Sequence, residues 1–315
     1  MIVRFRKASL LADFIVLVSL CLAPVSVFAD ASIDGREVLA RQSIAMAQAS
    51  YSGLLTYEHG THLSTIEINH QVIQGVEHES LIHLSGDARE IRRNTDHNHC
   101  PFPGEQLMRG SVPQGVQVTQ DIDDFYHISI LGFERIAGRQ SIVVQVMPRD
   151  QHRYGYIVSV DKDSYLALKT LLIGPGAKVI ERFQFSKIVI DAAPSLATQN
   201  SAGEDGVEGC DLVAAESTAL QWIAQWLPPG FVFAGEKRLS EQRLMLKYTD
   251  GLSAFSIFID RLDAPSIVEG RAQRGATVAY LGRLESSRGN YRVTAVGEVP
   301  APTLERVAMS LREKI

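Results

Sequence analysis

The nine histidines are the side chains of this sequence most suited to metal chemistry, and all of them lie between His59 and His152. His78 and Glu79 followed by His83 resemble the start of a zinc-protease motif, in which two histidines four residues apart on a helix face one metal. Here the two histidines are five residues apart in a segment with strand character, so their side chains would point to opposite faces. This group therefore does not predict a zinc site.

A second group, His97, His99 and Cys100, has better spacing, because residues 97 and 99 would share one face of a strand. A metal site is one interpretation, and a polar surface loop with a structural cysteine is the other. No fourth ligand is apparent, so we favour the loop and expect neither a metal nor another cofactor.

Motifs for nucleophilic or phosphate chemistry are missing from the sequence. It contains no G-x-S-x-G and no G-x-x-x-x-G-K-[ST]. Residues 174–178 (GPGAK) resemble a phosphate loop only superficially, because they join two predicted strands, which favours a hairpin turn. Carboxylates such as Glu58, Asp121 and Asp124 could serve acid–base chemistry, but nothing in the sequence brings two of them together. We therefore predict that the protein is not an enzyme.

The elements that would position any site are mostly β-strands, recognised as short runs rich in β-branched and aromatic residues. Four such runs follow one another without a helix-length segment between them, at residues 141–147, 154–160, 166–173 and 179–190. This order predicts an antiparallel meander rather than βαβ units. We also predict a helix at residues 32–49, begun by Asp34 and Glu37 as a capping box, and an amphipathic helix at residues 303–315.

A change in composition divides the chain. Residues 193–217 contain many small, polar and acidic residues and few large apolar ones, which is typical of an exposed linker. The linker would separate a β-rich domain at residues 30–192 from a smaller domain at residues 218–315.

Residues 1–29 have the features of a secretory signal peptide. Three basic residues precede an apolar run at residues 14–23, and Val27 with Ala29 fits the small-residue cleavage pattern. An uncleaved anchor is the alternative, but the run is short for a bilayer span. Export to an oxidising compartment would permit a disulfide between Cys100 and Cys210, and two free thiols are the other interpretation.

The charge of the chain argues against nucleic-acid binding. The formal net charge is −5, and because residues 1–29 carry +2, the remainder carries −7. Binding to phosphate backbones needs clustered lysine and arginine, so we predict no nucleic-acid partner.

Several stretches resemble the MucB/RseB family, in order and with plausible spacing across essentially the whole mature chain. In the first half they are residues 149–156 (RDQHRYGY), 168–172 (LKTLL) and 181–185 (ERFQF). In the second half they are residues 226–231 (WLPPGF), 248–252 (YTDGL), 255–258 (FSIF), 296–300 (VGEVP) and 305–308 (ERVA). Residues 59–120 resemble the family least.

The resemblance implies an α+β fold. Members of the family have a large N-terminal domain, an open antiparallel β half-barrel with helices over its concave side, similar to lipoprotein carriers. A smaller C-terminal α/β domain follows a linker. The strand and linker patterns of this sequence agree with that arrangement.

The resemblance also implies a role in the periplasm. A family member binds the periplasmic domain of an inner-membrane anti-sigma factor and protects it from regulated proteolysis, so that the envelope-stress sigma factor stays restrained. An acyl-chain or lipopolysaccharide-type ligand would relieve this block. A periplasmic lipid or lipoprotein carrier is the alternative function, and a homo-oligomer remains open.

Two sets of apolar residues are candidate binding sites under this interpretation. The lipid-binding candidates alternate along strands: Val144, Val146, Tyr156, Val158, Leu171, Phe183 and Phe185. The anti-sigma-binding candidates are aromatic and lie in the second domain: Trp226, Phe231, Tyr248, Phe255 and Phe258. For both sets, ordinary core packing is the competing interpretation. Arg149, Arg153 and Tyr154 could contact a ligand phosphate or form a strand-edge salt bridge.

Overall fold

Helix α1, Gly35–Gln48, begins the part of the chain that the computed structural model describes, which comprises residues 34–86, 88–95, 122–191, 221–262 and 269–314. All of these residues belong to one compact unit. The predicted signal peptide at residues 1–29 and the predicted linker at residues 193–217 lie outside the described residues. His97, His99, Cys100 and Cys210 also lie outside them.

Nine antiparallel strands form the first sheet, in the order β4-β3-β2-β1-β9-β8-β7-β6-β5. The strands are β1 Tyr51–His59, β2 His62–Ile73, β3 Val76–His83, β4 Arg89–Thr95, β5 Tyr126–Ile136, β6 Arg139–Pro148, β7 Gly155–Asp161, β8 Ala167–Ile173 and β9 Val179–Ile190. The sheet is open, because β4 and β5 each pair with one neighbour among the described strands. The predicted meander is confirmed as β6 to β9, and the predicted α+β fold with an open antiparallel sheet is confirmed with it.

Helix α1 lies against β5 and β6 and covers part of one face of this sheet. Its N-cap is Asp34, whose side chain accepts a hydrogen bond from the backbone N–H of Arg36. Glu37 does not complete the predicted capping box, because its carboxylate pairs with Arg41 one turn along the helix. Gly35 packs so closely that a Cβ there would lie 2.9 Å from Cγ2 of Ile128.

Six further antiparallel strands form the second sheet, in the order β11-β12-β13-β16-β15-β14. They are β11 Val232–Ser240, β12 Arg243–Thr249, β13 Ala254–Leu262, β14 Gly270–Arg274, β15 Thr277–Ser286 and β16 Gly289–Gly297. Their core face carries Leu246, Ile257 and Ala295, which pair across three neighbouring strands and are fully buried. Helix α2, Ala301–Met309, packs on β15 and β16 over this face.

The C-terminal helix is shorter than the sequence pattern predicts. Helix α2 ends at Met309, and Leu311–Glu313 forms strand β17, which pairs with β10, Trp222–Ala224. Leu311 fits the apolar face of a continued helix, but it is fully buried as a strand residue opposite Ala224. Ser310 marks the break, because its hydroxyl bonds to the carbonyl oxygens of Val307 and Trp226. The prediction of helix beyond residue 309 is therefore wrong. Neither described helix is long and apolar enough to cross a membrane.

Candidate functional site

The two sheets meet at a group of buried polar side chains, which we call the junction and define by Tyr126, Arg153, Tyr156, Asp250 and Ser253. Tyr126 begins β5, Tyr156 lies on β7 and Arg153 lies in the loop between β6 and β7. Asp250 and Ser253 come from the turn between β12 and β13. The junction therefore connects the nine-stranded sheet with the six-stranded sheet.

Asp250 has two tasks, one for each carboxylate oxygen. Its Oδ1 accepts hydrogen bonds from the backbone N–H groups of Leu252 and Ser253, at 2.9 and 2.7 Å, and thereby shapes the turn. Its Oδ2 accepts from Tyr126 Oη at 2.8 Å and from Arg153 Nη1 at 2.9 Å. Asp250 therefore stabilises its own turn through Oδ1 and connects that turn to the first sheet through Oδ2.

Arg153 is the cation of the junction, and its side chain is completely buried, as is that of Asp250. Its Nη2 donates to the carbonyl oxygen of Pro229, and its guanidinium also pairs with Asp150. The rings of Phe125, Tyr126 and Phe231 surround it, with centroids 4.9 to 5.4 Å from Cζ. A buried charge persists only when it is paired and hydrogen-bonded, and here both conditions are met.

Burial dominates the electrostatics of the junction. It raises the pKa of Asp250 above its usual value, although the turn N–H groups and the Arg153 guanidinium act in the opposite direction. Burial raises the pKa of the Tyr126 hydroxyl well above 10, and the charge of Asp250 adds to this effect. The tyrosine therefore remains a hydrogen-bond donor at physiological pH.

A second contact between the sheets depends on Glu181 of β9. Its Oε1 accepts hydrogen bonds from Tyr57 Oη and from the backbone N–H of Ala276, each at 2.8 Å. Ala276 follows Gly275, which has a φ of 59° in the tight turn between β14 and β15. A Cβ on Gly275 would lie 1.9 Å from Glu181 Oε1, so the close approach requires glycine.

Glu298 is buried near the same contact. Burial, together with the negative charge of Glu181, raises the pKa of Glu298 to about 8. The Glu298 carboxyl is therefore protonated at neutral pH while the two sheets are in contact.

A third contact joins the loop after β6 to helix α2. The ring Nδ1 of His152 lies 3.0 Å from the hydroxyl oxygen of Thr303, and its ring packs edge-on against Trp226 at 5.2 Å. Close to it, Gly230 lies against the ring of Phe125, where a Cβ would approach to 2.6 Å. The segment 226–231 therefore lies directly at the contact between the sheets.

The stretches 149–156, 226–231, 248–252 and 296–300 converge on these contacts, and the sequence interpretation did not anticipate this. It left open a ligand contact or a strand-edge salt bridge for Arg153, whereas the structure gives Arg153 a buried ion pair between the sheets. In the sequence, Asp250 and Glu298 stood out only as members of the stretches 248–252 and 296–300 that resemble the family, and Tyr126 did not stand out. Asp250 and Glu298 share one sequence feature that could have identified them: each is a single charged residue within a stretch that is otherwise apolar or turn-forming.

Six of the seven predicted lipid-binding residues share one face of the nine-stranded sheet, which we call the inner face. Val144 pairs with Val158, and Val146 with Tyr156, so each pair projects to the same side. The register continues from Val158 through Thr170 to Phe183. Five of the six are buried, and Phe183 is half-buried: Val144, Val146, Tyr156, Val158, Phe185 and Phe183.

Leu171 is the exception. It pairs with Ile157 and with Arg182, one residue out of step with Thr170, and so lies on the opposite face. Helix α1 covers part of the inner face, since Gly35 approaches Val144 as well as Ile128. Tyr156 also belongs to the junction, because its hydroxyl lies 3.1 Å from Ser253 Oγ.

The predicted anti-sigma-binding residues separate into two groups. Phe231, Tyr248 and Phe255 are buried and pack against one another, with ring centroids 5.2 to 5.3 Å apart. Phe258 lies on the other face of the six-stranded sheet and is half-buried, as shown by its pairing with Met245 and Thr294.

Trp226 lines an open groove of about 400 Å³ on helix α2, which we call the Trp226 groove. The Arg306 guanidinium lies 3.9 Å from the centroid of the indole and holds one face of the ring. Met309, which is 60% exposed, and Pro302 add apolar surface. Among the five predicted residues, Trp226 alone lines this groove.

The histidines form no metal site within the part of the chain that the structure describes, where no group of three or more His, Cys, Asp or Glu side chains is arranged to hold a metal ion. His78 and His83 lie on the same strand, β3, with an odd spacing that directs them to opposite faces. His70 is buried and stacks on Tyr51, with ring centroids 4.9 Å apart.

Two open antiparallel sheets joined by a buried ionic junction define a two-sheet α+β protein. Comparison with protein families makes the assignment specific, and the chain belongs to the MucB/RseB family. The MucB/RseB N-terminal domain matches residues 34–204, and the MucB/RseB C-terminal domain matches residues 216–312.

Two relatives that match most of the chain are regulatory proteins of sigma factors. The chain is 36% identical to the sigma factor AlgU regulatory protein MucB of Pseudomonas aeruginosa over 98% of both chains. It is 26% identical to the sigma-E factor regulatory protein RseB of Escherichia coli over 82% of this chain and 86% of that protein. A crystal structure of MucB in complex with MucA(peri) matches 90% of this chain and 100% of that chain, with 35% identity and a TM-score of 0.69.

Proposed function

We propose that this protein binds the periplasmic domain of an inner-membrane anti-sigma factor and protects that domain from regulated proteolysis. The observation that carries the proposal is the full-length similarity to MucB, together with the solved complex of MucB with MucA(peri). By mass action, a partner that holds the cleavable segment lowers the fraction that a protease can reach. The envelope-stress sigma factor then remains restrained. The function is regulatory and does not require catalysis.

The Trp226 groove is the surface that we assign to the anti-sigma segment. It presents a tryptophan whose ring is fixed from one side by Arg306, and exposed Met309 at its rim. A preorganised aromatic side chain beside a flexible thioether is well suited to an apolar anchor residue of an extended or helical segment. Phe231, Tyr248 and Phe255 belong to the core cluster against which Trp226 packs, so we do not assign them to the partner contact. Phe258 lies on the other face of the sheet and is not part of the groove.

An acyl-chain or lipopolysaccharide-type ligand would act through the inner face. Burying each CH₂ group of an acyl chain contributes about 0.8 kcal/mol. Because α1 packs on Val144 and Ile128, a chain that reaches these two residues would displace the helix from β5 and β6. Strand β5 also carries Tyr126 of the junction, so the two sites share one strand.

The junction would couple the two ligands. If the lipid and the anti-sigma segment favour different arrangements of the sheets, each must weaken binding of the other by the same factor. Similarity to MucB and the secretory features of residues 1–29 support a periplasmic location, where both ligands are accessible. The division into domains at residues 30–192 and 218–315 with a linker at residues 193–217 is part of this proposal.

A binding titration with a matched pair of variants tests the proposal. The periplasmic domain of the cognate anti-sigma factor is titrated into the protein while tryptophan fluorescence is recorded. Trp226→Ala should weaken binding by at least tenfold, since aromatic residues at interface centres contribute about 2 kcal/mol or more. Binding of the Trp226→Ala variant is followed by calorimetry instead. Phe133→Ala removes an aromatic side chain that is 60% exposed elsewhere and should leave affinity unchanged.

A periplasmic lipid or lipoprotein carrier is the second candidate function, favoured by the apolar inner face of the open sheet. A carrier would bind acyl chains tightly and show no saturable binding of the anti-sigma domain. That pair of results would replace the regulatory proposal with the carrier function.

A further inference from the structure

A row of charged side chains crosses the six-stranded sheet on the face opposite its core. Arg243 of β12 pairs in register with Asp260 of β13, which pairs with Arg292 of β16. Their sequence neighbours Leu244, Ile259 and Val293 belong to the core, so the charged row occupies the other face. The row lies beside a groove of about 310 Å³, which we call the arginine groove. It is lined by Leu239, Ser240, Gln242, Arg243, Asp260, Arg261 and Arg292.

Asp260 fixes two of the guanidinium groups but cannot neutralise both. Its Oδ1 accepts a hydrogen bond from Arg243 Nε, and its Oδ2 accepts from Arg292 Nε and Nη2 at 3.1 and 3.0 Å. The Asp260 side chain is 11% exposed, so these bonds are largely shielded from water. The arrangement leaves one excess positive charge and uncommitted N–H groups on both arginines.

Arg261 also lines the groove, but it follows Asp260 on β13, so its side chain starts on the face opposite the row. Its side chain makes no hydrogen bond or ion pair with any residue in the described part of the chain. Its backbone is fixed, since the N–H of Arg261 donates to the carbonyl oxygen of Gln242 at 3.0 Å. Within the row itself, two guanidinium groups share one carboxylate, in a chain whose net charge is −5.

We infer that the arginine groove binds a phosphate group. Guanidinium groups donate paired N–H bonds that match the spacing of phosphate oxygens, and several arginines together suit a doubly charged anion. The Ser240 hydroxyl and the Gln242 amide supply further polar contacts at the same groove. The phosphate can come from inorganic phosphate in solution or from a lipid headgroup, and Leu239, which is 42% exposed, offers apolar contact for the latter.

This inference does not depend on anti-sigma binding. The arginine groove and the Trp226 groove share no lining residue. Occupation of the arginine groove can therefore be measured without the anti-sigma partner.

An NMR titration of the full chain with phosphate, in which individual arginine side chains are observed, tests the inference. The Nε–Hε resonances of ¹⁵N-labelled protein are followed as inorganic phosphate is added at constant ionic strength. We expect saturable shifts, and Arg292→Gln should weaken phosphate binding about tenfold through loss of one charged donor group of the row. Arg271→Gln is the matched control, because Arg271 lies on β14 at the opposite edge of the sheet and is exposed. It should bind phosphate as the unsubstituted protein does.

Vesicle sedimentation separates the two sources of phosphate. Vesicles of phosphatidylcholine with and without phosphatidic acid are mixed with the same three proteins. Sedimentation that requires phosphatidic acid and is lost in Arg292→Gln assigns the groove to a lipid headgroup, whereas saturable shifts with inorganic phosphate alone assign it to the free anion. The inference is overturned if neither probe binds, or if Arg292→Gln and Arg271→Gln behave alike with both.

Discussion

The cores of the two sheets and the junction between them are stabilised by opposite kinds of interaction. Each core consists of apolar side chains that alternate along strands, such as Leu246, Ile257 and Ala295 in the second sheet. The junction instead places a buried arginine on a buried aspartate and surrounds the pair with tyrosine hydroxyl groups. Apolar packing tolerates small shifts, whereas a buried ion pair is favourable only in a narrow geometry. The contrast indicates that the relative position of the sheets is specified by polar chemistry.

Removal of Asp250 should produce the largest effect. Asp250→Ala leaves the Arg153 charge buried without its carboxylate and removes the acceptor of Tyr126 Oη. We expect the free energy of unfolding to fall by about 3–5 kcal/mol, the usual cost of breaking one side of a buried pair. Equilibrium urea denaturation provides the measurement.

The matched control is Asp163→Ala, which removes the outer carboxylate near Arg139. The Asp163 side chain is 84% exposed, so the urea midpoint should remain unchanged. If Asp250→Ala costs less than about 1 kcal/mol, the Arg153–Asp250 ion pair does not stabilise the contact between the two sheets.

A smaller effect is expected at the contact of Gly275 with Glu181. Gly275→Ala introduces a Cβ into the space of Glu181 Oε1 and strains a residue with positive φ. Gly176→Ala introduces only the strain, since its φ is 69° and no atom lies within 4 Å of the added Cβ. We expect a loss of about 2–3 kcal/mol for Gly275→Ala and about 1 kcal/mol for Gly176→Ala by urea denaturation. Equal losses of unfolding free energy in the two variants would show that Glu181 moves away from the added Cβ without a measurable loss of stability.

The pH dependence of stability should change in Glu298→Gln. In the folded protein the pKa of Glu298 is about 8, against an ordinary value of 4.5. The unfolded state therefore releases this proton first, so the contribution of Glu298 is fully present below pH 4.5 and is lost as pH rises through 8. Glu181 is the carboxylate that faces it, and Tyr154 and Tyr156 lie nearby on the first sheet.

Urea denaturation between pH 5 and 8 tests this effect. The unsubstituted protein should lose stability relative to Glu298→Gln as pH rises, at a rate of up to about 1.4 kcal/mol per pH unit. Parallel stability curves for the two proteins would show that Glu298 does not titrate within this range.

Local patterns made much of the fold predictable. Residues 179–190 were expected as one strand, and β9 has those bounds. Asp34 was expected to begin the first helix and is its N-cap. In both cases the signal lies within a few neighbouring residues, because strand alternation and helix capping are local effects.

The elements that depend on distant partners were not predictable in the same way. Leu311 continues a helical apolar pattern, yet it pairs with Ala224 across the molecule. Arg153 and Asp250 are 97 residues apart in the sequence, and their pairing has no periodic signal. The apolar candidate sites could not be predicted for a different reason. Aromatic residues such as Phe231, Tyr248 and Phe255 are common both in binding interfaces and in cores, and here they are buried in the core.

Protease protection measures the proposed regulatory function itself. The purified periplasmic domain of the cognate anti-sigma factor is digested by its site-1 type protease with and without an excess of this protein, and the half-life of the intact domain is measured. Protection through the Trp226 groove predicts a longer half-life with the unsubstituted protein and with Phe133→Ala, and a half-life close to that of the free domain with Trp226→Ala. An unchanged half-life in the presence of saturating unsubstituted protein would contradict it.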